Sequence, residues 1–532
     1  MSRIFEKRYA LSRRALLRSI GGLGALAAMP LLSREALAQP VFRTYPFQLG
    51  VAAGDPQPDG FVIWTRLAPE PLELGHGMPA APVEVQWEVA SDSRFETVVR
   101  KGAAVARPEL AHSVHVEVAG LEPARPYWYR FVAGKERSLV GRARTTPAAG
   151  AAVGRVRFAS LGCQHYEQGY FTAHRRAAAE PDLDFIFCYG DYIYEGRGER
   201  IWNGPAGPIE NVRSHAQNEI YSLDDYRRRY AQYKMDADLQ ASHAAAAWFT
   251  VWDDHEIDNN WVGPLDQDGT PAQAFGLRKQ VAMQAYYENM PLRARSFPVG
   301  PAMQLYRRAV YGDLLDLNLL DTRQYRSDQP CGDKWAVTCP ERERADAQVL
   351  GAAQERWLQD NLSSSRARWK ALAQQIMVMD LDRDPTPERI AFNLDSWAGY
   401  DAPRERLLRH VRDRRIGNVV VLTGDEHQHY AGELHLDGRA PGARPIATEF
   451  VATSVSSGGN GQDQRPDYVE IQRVNPQLKF NNAQRGYLVC DVTQERWEAE
   501  FRVLDKVTDR EGTVSTRTKL AVATGDPRVV AA

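Results

Sequence analysis

Four short apolar segments of this 532-residue chain are each followed at once by Cys, Asp, Tyr, Glu or His side chains. The apolar segments are residues 156–161, 185–189, 248–252 and 419–423, and the polar motifs after them are residues 162–165, 190–195, 252–256 and 423–429. Runs of this length predict buried strands. Helical patterns at 172–180 and 352–362, and a further strand predicted at 375–379, indicate an α/β layered domain. In open sheets of this kind, ligands bind beyond the carboxyl ends of the strands.

Each polar motif also has an ordinary structural interpretation. A single Asp after a strand usually caps a helix or forms a turn. Tyr194 read alone is a packing residue, and His165 and His429 read alone are surface or supporting groups. Four such motifs at four strand ends nevertheless favour a metal site over a hydrogen-bonded catalytic triad.

The region before these motifs has an all-β pattern. Residues 83–89 and 114–118 alternate apolar and polar side chains, as half-buried strands do. Residues 126–131 resemble the tyrosine-corner region of fibronectin-type sandwiches. We therefore predict an N-terminal β-sandwich over 45–146 that is structural or shapes the substrate site, and a catalytic domain over 150–525.

The first 38 residues have the order of an export signal. Arg13 and Arg14 precede an apolar run at 20–32, and Ala36-Leu37-Ala38 offers a small-x-small cleavage site before Gln39. Thirteen apolar residues are too few for a membrane anchor, which needs about 20. The paired arginines resemble the twin-arginine signal. The sequence thus predicts a partner in the twin-arginine export machinery, no transmembrane anchor, and a periplasmic or secreted protein.

Charge argues against one class of partner. The whole chain has 66 Lys and Arg against 68 Asp and Glu, and residues 39–532 have 59 against 66. A chain with a net charge near −7 after signal removal is a poor binder of nucleic acid phosphates. We predict an anionic monomer without a nucleic-acid platform.

The five cysteines fall into three kinds. Cys331 and Cys339 bracket a short polar loop and are candidates for a local disulfide in an oxidising compartment. Cys188 and Cys490 lie in apolar strand patterns and read as small packing residues. Cys163 begins the first polar motif and is a candidate ligand.

Two further segments are interpreted structurally. Residues 454–459 are rich in Gly and Ser but lack the Lys of a P-loop, so they predict a turn near the metals. The mixed charge run at 224–229 predicts a solvated helix face.

Taken together, the motifs resemble the PhoD-type alkaline phosphatases and phosphodiesterases. This family is a branch of the calcineurin-like metallophosphoesterases and is related to purple acid phosphatases. The resemblance extends over nearly all of the chain after the signal, including residues 47–55, 320–325 and 449–454. It implies a four-layer sandwich of two β-sheets flanked by helices, preceded by a fibronectin- or Ig-like domain.

The resemblance also implies a ligand set. Against the general superfamily pattern, Cys163 replaces the first Asp, Asp254 replaces an Asn and Asp425 replaces a His. By position, the remaining metal-binding candidates are the bridging Asp191, Tyr194, His427 and Asp253, the last either as a ligand or as the group that orients His255.

Ligand type and resemblance agree on the metals. Thiolate and phenolate ligands favour a highly charged iron centre, whereas carboxylates suit Ca²⁺ or Mn²⁺. The resemblance implies Fe³⁺ beside one or two Ca²⁺, with Mn²⁺ or Zn²⁺ as alternatives.

The implied reaction is hydrolysis of a phosphate ester. Metals about 3.5–4 Å apart, bridged by Asp191, would activate a hydroxide for in-line attack on phosphorus. His255 is the candidate for stabilising the phosphate or protonating the leaving oxygen. Arg197 is a weaker candidate for a phosphate clamp, and a solvated loop arginine is an equally good interpretation of it.

Three functions fit these residues. The first is an exported phosphomonoesterase and phosphodiesterase acting on small phosphate esters. The second is a phospholipase D-type or teichoic-acid phosphodiesterase acting on phospholipid or cell-wall phosphodiesters. The third is an exported carbohydrate- or surface-binding protein with a vestigial metal site, against which stands the presence of a ligand at every expected position.

Overall fold

The computed structural model describes residues 41–197, 201–204, 207–333, 339–386, 389–437 and 443–532. The predicted signal at 1–38 lies outside the described residues.

The strands, numbered in chain order, are β1 (Val51–Gln57), β2 (Gly60–Arg66), β3 (Val83–Ala90), β4 (Val98–Ala106), β5 (Ser113–Val118), β6 (Pro126–Ala133), β7 (Glu136–Arg137), β8 (Gly141–Arg144), β9 (Arg155–Leu161), β10 (Phe185–Cys188), β11 (Ile201–Gly204), β12 (Gly207–Glu210), β13 (Ala247–Thr250), β14 (Arg307–Tyr311), β15 (Leu315–Leu319), β16 (Trp369–Ala373), β17 (Val419–Thr423), β18 (His429–Leu434), β19 (Ala447–Val451), β20 (Gly461–Gln462), β21 (Leu478–Gln484), β22 (Gly486–Thr493), β23 (Arg496–Leu504), β24 (Val514–Ala523) and β25 (Asp526–Ala531).

The α-helices are α1 (Thr172–Ala178), α2 (Leu223–Lys234), α3 (Ala237–Ala245), α4 (Ala272–Asn289), α5 (Gly351–Ser364), α6 (Asp401–Asp413) and α7 (Tyr468–Val474). Within the described part of the chain, none of these helices is long and apolar enough to cross a bilayer.

Two large sheets carry the fold. The first has ten strands in the order β25-β24-β23-β22-β9-β10-β13-β1-β2-β5. In it, β10 pairs in parallel with both β9 and β13, so the carboxyl ends of these three strands meet at one edge. The second has eight strands in the order β14-β15-β16-β17-β19-β18-β21-β20.

The buried core shows how these sheets are covered. One apolar cluster contains Phe158 of β9 together with Leu422 of β17, and therefore includes side chains of both large sheets. A second contains Val421 of β17 with Leu358 of α5 and Leu407 of α6. Because successive strand residues point to opposite faces, β17 contacts the ten-stranded sheet on one side and helices on the other.

The region 45–146 contributes to two sheets. Strands β3, β4, β6, β7 and β8 form a small antiparallel sheet. In β6 every second side chain is buried, and the backbone N–H of Glu122 donates to the Tyr127 hydroxyl at 3.0 Å. Strands β1, β2 and β5 instead extend the ten-stranded sheet, where β1 pairs in parallel with β13.

Most predicted elements are present, but the strand predicted at 375–379 is wrong. The strand of that region is β16, and residues 376–379 form a buried irregular segment. Two backbone donors of this segment bind a side chain instead of a strand. The N–H groups of Val378 and Met379 each donate to the Glu449 carboxylate at 2.8 Å. A buried carboxylate thus replaces the neighbouring strand that the apolar pattern led us to expect.

The cysteines match their predicted kinds. Cys331 and Cys339 form a disulfide with a Cα–Cα distance of 6.1 Å. Cys188 and Cys490 are buried free thiols in β10 and β22.

Candidate metal centre

The four polar motifs converge at the carboxyl ends of four strands in the two large sheets, β9, β10, β13 and β17. Cys163, Asp191 and Asp253 follow the parallel strands β9, β10 and β13, and Asp425 follows β17 of the second sheet. Cys163 N–H donates to Gly190 O at 3.1 Å, which joins the first two motif loops. The sequence placed these loops at strand ends, and the structure brings them together.

Close glycine packing sets the loop backbones. A Cβ on Gly162 would lie 2.5 Å from the ring of Tyr189, and one on Gly424 would lie 2.0 Å from the same ring. The backbones of the first and fourth motifs therefore lie so close to the Tyr189 ring that only glycine fits at these two positions. Downstream of these glycines, Cys163, Asp425 and His427 have left-handed φ values of 50°, 61° and 53°. Such strain in residues other than glycine concentrates at functional sites.

One group of candidate ligands contains Cys163, Asp191 and His427. An Sγ, a carboxylate oxygen and a ring nitrogen from these residues lie within 4.8 Å of one another. Tyr194 joins them, since its hydroxyl donates to Asp191 Oδ2 at 2.8 Å and lies 3.2 Å from His427 Nε2.

A second group contains Asp253, Asp254 and Asp425, whose carboxylate oxygens also lie within 4.8 Å of one another. Asp191, Asp254 and His255 form a third set by the same measure. Asp191 and Asp254 therefore place the two main groups side by side, as a two-metal centre requires.

His255 is held by a residue that sequence reasoning did not select. Its Nδ1 lies 2.7 Å from Glu195 Oε2, and Glu195 Oε1 accepts from the Asn259 N–H at 2.9 Å. Asp253, the alternative predicted partner of His255, pairs instead with Arg323 at 2.6 Å. The His255 ring centroid lies 4.0 Å from that of Tyr194.

A buried carboxylate joins the second and third motifs. Glu256 Oε2 accepts from the backbone N–H groups of Asp191 at 3.1 Å and Asp253 at 2.9 Å, and Oε1 accepts from that of Tyr192 at 2.6 Å. Glu256 therefore positions two candidate ligands and is not itself a member of the three candidate groups.

The Gly/Ser-rich segment does form a turn beside the candidate ligands, as predicted. Ser457 Oγ lies 2.7 Å from the Tyr194 hydroxyl and 2.8 Å from Cys163 O. His165 and His429 are both buried rather than at the surface, and the His165 ring lies 4.4 Å from that of Tyr194.

The charge run at 224–229 is only partly a solvated helix face. Arg229 is fully buried and donates to backbone carbonyls of the second motif loop, including Gly196 O at 3.0 Å. Arg197 is exposed, with Asn218 Oδ1 3.4 Å from its Nη1. Its role as a phosphate clamp stays a prediction.

The residues fit bound cations. Asp191 Oδ1, Asp253 Oδ2 and Asp254 Oδ1 are buried and have no hydrogen-bond partner among the described residues. Burial raises the pKa of Asp191 to about 7, and burial with the nearby Asp191 carboxylate raises the pKa of the Cys163 thiol. Oxygens left without a partner at this depth are costly unless a cation faces them.

Comparison with known proteins identifies the family of this chain. The family model for the PhoD-like phosphatase matches residues 158–501, and the model for the PhoD-like phosphatase N-terminal domain matches residues 33–147. Alkaline phosphatase D of Bacillus subtilis (strain 168) is 48% identical over 496 residues, which cover 93% of this chain and 84% of that protein.

A solved structure described as the structure of PhoD is 47% identical, with a TM-score of 0.89, and the match covers 93% of this chain and 94% of that one. Sequence and fold agree over nearly the whole length, so the chain belongs to the PhoD-like phosphatase family.

Proposed function

We propose that this protein is an exported, metal-dependent phosphatase that hydrolyses phosphate monoesters and diesters at an Fe³⁺ and Ca²⁺ centre. Family membership makes it a hydrolase of the phosphatase type. The observation that carries the metal part of the proposal is the pair of adjoining buried ligand groups, joined through Asp191 and Asp254.

The two groups differ in the charge they offer. A Cys163 thiolate, an Asp191 carboxylate and a Tyr194 phenolate together bring three negative charges to the first group, and His427 adds a neutral nitrogen. Soft and anionic ligands of this kind suit iron. The second group offers only carboxylate oxygens, which suit Ca²⁺, with Mn²⁺ as an alternative and Zn²⁺ less favoured.

Each residue then has a defined task. When bound, the metals would supply the Lewis acidity needed to activate water and to offset the charge of the phosphoryl oxygens. Asp191 holds the two subsites next to each other. The Nδ1–H of His255 donates to Glu195 Oε2, and, although burial opposes it, the nearby carboxylates of Glu195, Asp254 and Asp191 raise the pKa of His255. The imidazolium therefore keeps an Nε2–H that can donate to a phosphoryl or leaving-group oxygen. Arg197, on the exposed loop after Glu195, is proposed only as an outer contact to substrate.

We also propose the finer fold and the export route. The shared core of the two large sheets and the helices against β17 support a four-layer sandwich with the small sheet at its N-terminal end. Residues 1–38 support twin-arginine export to the periplasm or medium, and we propose a monomer.

The test is an elemental analysis with a visible spectrum, made on protein exported through its own signal and followed by assays on mono- and diesters. We expect iron and calcium, a visible band from thiolate or phenolate bound to Fe³⁺, and hydrolysis of both ester types. Activity on phospholipid or cell-wall diesters alone would identify a narrower phosphodiesterase. An inactive protein whose binding properties survive Asp191→Ala would contradict the proposal in favour of a binding protein.

A further inference from the structure

Arg323 places a positive charge inside the second ligand group. Its side chain is fully buried, in the segment that follows β15. Nε donates to Asp253 Oδ1 at 2.6 Å, and Nη1 pairs with Asp395 Oδ2 at 2.9 Å. A cation at this position needs an explanation, because it competes with a metal for the same carboxylates.

The contact with Asp253 uses only one of its oxygens. Oδ1 binds Arg323, whereas Oδ2 is buried without a hydrogen-bond partner among the residues described. Because the guanidinium is planar and anchored at a second point by Asp395, its Nε–H holds Oδ1 of Asp253 in one position. This restricts rotation of the carboxylate and leaves Oδ2 for another ligand.

The same side chain leaves the other two carboxylates available. Nη2 lies 3.8 Å from Asp254 Oδ1 and 3.9 Å from Asp425 Oδ1, beyond hydrogen-bond distance. Nη2 is itself buried and has no hydrogen-bond partner in the described structure. Arg323 thus approaches all three carboxylates and binds only Asp253.

Formal charges give the charge of the cation that would balance this arrangement. The four carboxylates of Asp253, Asp254, Asp395 and Asp425 face two guanidinium groups, since Arg326 also pairs with Asp395 at 2.6 Å. The ionised set therefore has a net charge of −2, which one divalent cation neutralises.

We propose that Arg323 is the positioning residue of the Asp253–Asp254–Asp425 group: its planar fork orients Asp253 so that the group binds a divalent, oxygen-ligated cation. The inference rests on the proposed function only for the identity of the metals. In the described part of the chain, Arg323 forms no hydrogen bond or ion pair with Cys163, Asp191, Tyr194 or His427. We therefore expect the first group to bind its metal independently.

Arg323→Lys tests this inference, because it keeps the charge and removes the fork. We expect the full-length exported variant to lose most of its calcium while it retains iron and the visible band. Titration of metal-depleted protein with Ca²⁺ alone should show a 10- to 100-fold weaker affinity than in the parent. The matched control is Arg404→Lys, which changes another buried arginine, paired with Asp380 at 3.1 Å, and should leave both metals unchanged.

An unchanged iron-to-calcium ratio in Arg323→Lys would overturn the inference, because charge alone would then suffice. Loss of both metals from a folded variant would also overturn it, since Arg323 would then support the whole centre. If Arg323→Lys does not fold, Asp395→Asn, which removes the anchor of the fork, should lose calcium selectively, and normal calcium there contradicts the inference. A parent protein without iron contradicts the proposed function, yet the Ca²⁺ titration still decides the role of Arg323.

Discussion

The Nδ1 atom of His255 lies 2.7 Å from Oε2 of Glu195, a carboxylate that is itself buried. This pair resembles, in its geometry, the carboxylate–histidine arrangement that fixes the tautomer and ring plane of a histidine. The carboxylate follows Tyr194 directly, so the loop that supplies a candidate ligand also orients the candidate proton donor.

Glu195→Gln should lower kcat 10- to 100-fold with KM within about threefold of the parent, because the substitution loosens His255 without removing a ligand. Steady-state kinetics and metal analysis check this expectation. Glu405→Gln, at a partly exposed residue paired with Arg409, is the control and should behave as the parent does. A normal kcat, or a loss of metal, would show that Glu195 does not act through His255.

Cys163→Ser should remove the visible band and most of the iron, and activity should fall at least about 100-fold, because the proposed thiolate ligand of the first group is lost. Cys188→Ser is the matched control, as it also changes a buried free thiol but lies outside the candidate groups. Absorption spectra and elemental analysis distinguish the two variants. Equal iron contents would remove Cys163 from the ligand set.

Glu449→Gln should change how stability depends on pH. Burial raises the pKa of Glu449 to about 7 from an ordinary 4.5, so the folded state holds a proton that the unfolded state releases. The stabilisation that this bound proton gives the folded state is complete below pH 4.5 and is lost as the pH rises through 7. The loss amounts to about 3 kcal/mol. In urea titrations, the difference in the free energy of unfolding, variant minus parent, should therefore rise by up to about 3 kcal/mol between pH 5 and pH 8. A constant difference would mean that Glu449 has an ordinary pKa.

Removal of the Cys331–Cys339 disulfide should lower the free energy of unfolding by about 2–3 kcal/mol, since the bond closes a short loop of the unfolded chain. The double variant Cys331→Ser with Cys339→Ser, measured by urea unfolding, checks this. Metal content should stay at the parental value, and its loss would show that the loop supports the centre.

The apolar strand patterns predicted the four polar motifs, and the family resemblance then selected the candidate ligands within them. Cys163, Asp191, Asp254 and Asp425 could be placed at strand ends without knowledge of which sheet each strand joins. The carboxyl ends of parallel neighbours then brought them together.

The supporting residues could not be predicted in the same way. Arg323 is 70 residues from Asp253, and Glu195 is 60 residues from His255, so no local spacing connects them. Arg323 does lie in the segment 320–325 that carried the family resemblance, which was the available signal. The error at 375–379 has the same origin, because an apolar run does not reveal that a distant Glu449 satisfies its backbone.

The pairing of β1 with β13 makes part of the N-terminal region an extension of the ten-stranded sheet. A shortened protein that begins near residue 150 would expose the backbone donors and acceptors of β13 along an open edge. Open edges of this kind recruit strands from other molecules. Such a fragment would therefore aggregate rather than give a minimal enzyme. Strands β1, β2 and β5 thus protect the edge of the strand that precedes Asp253 and Asp254.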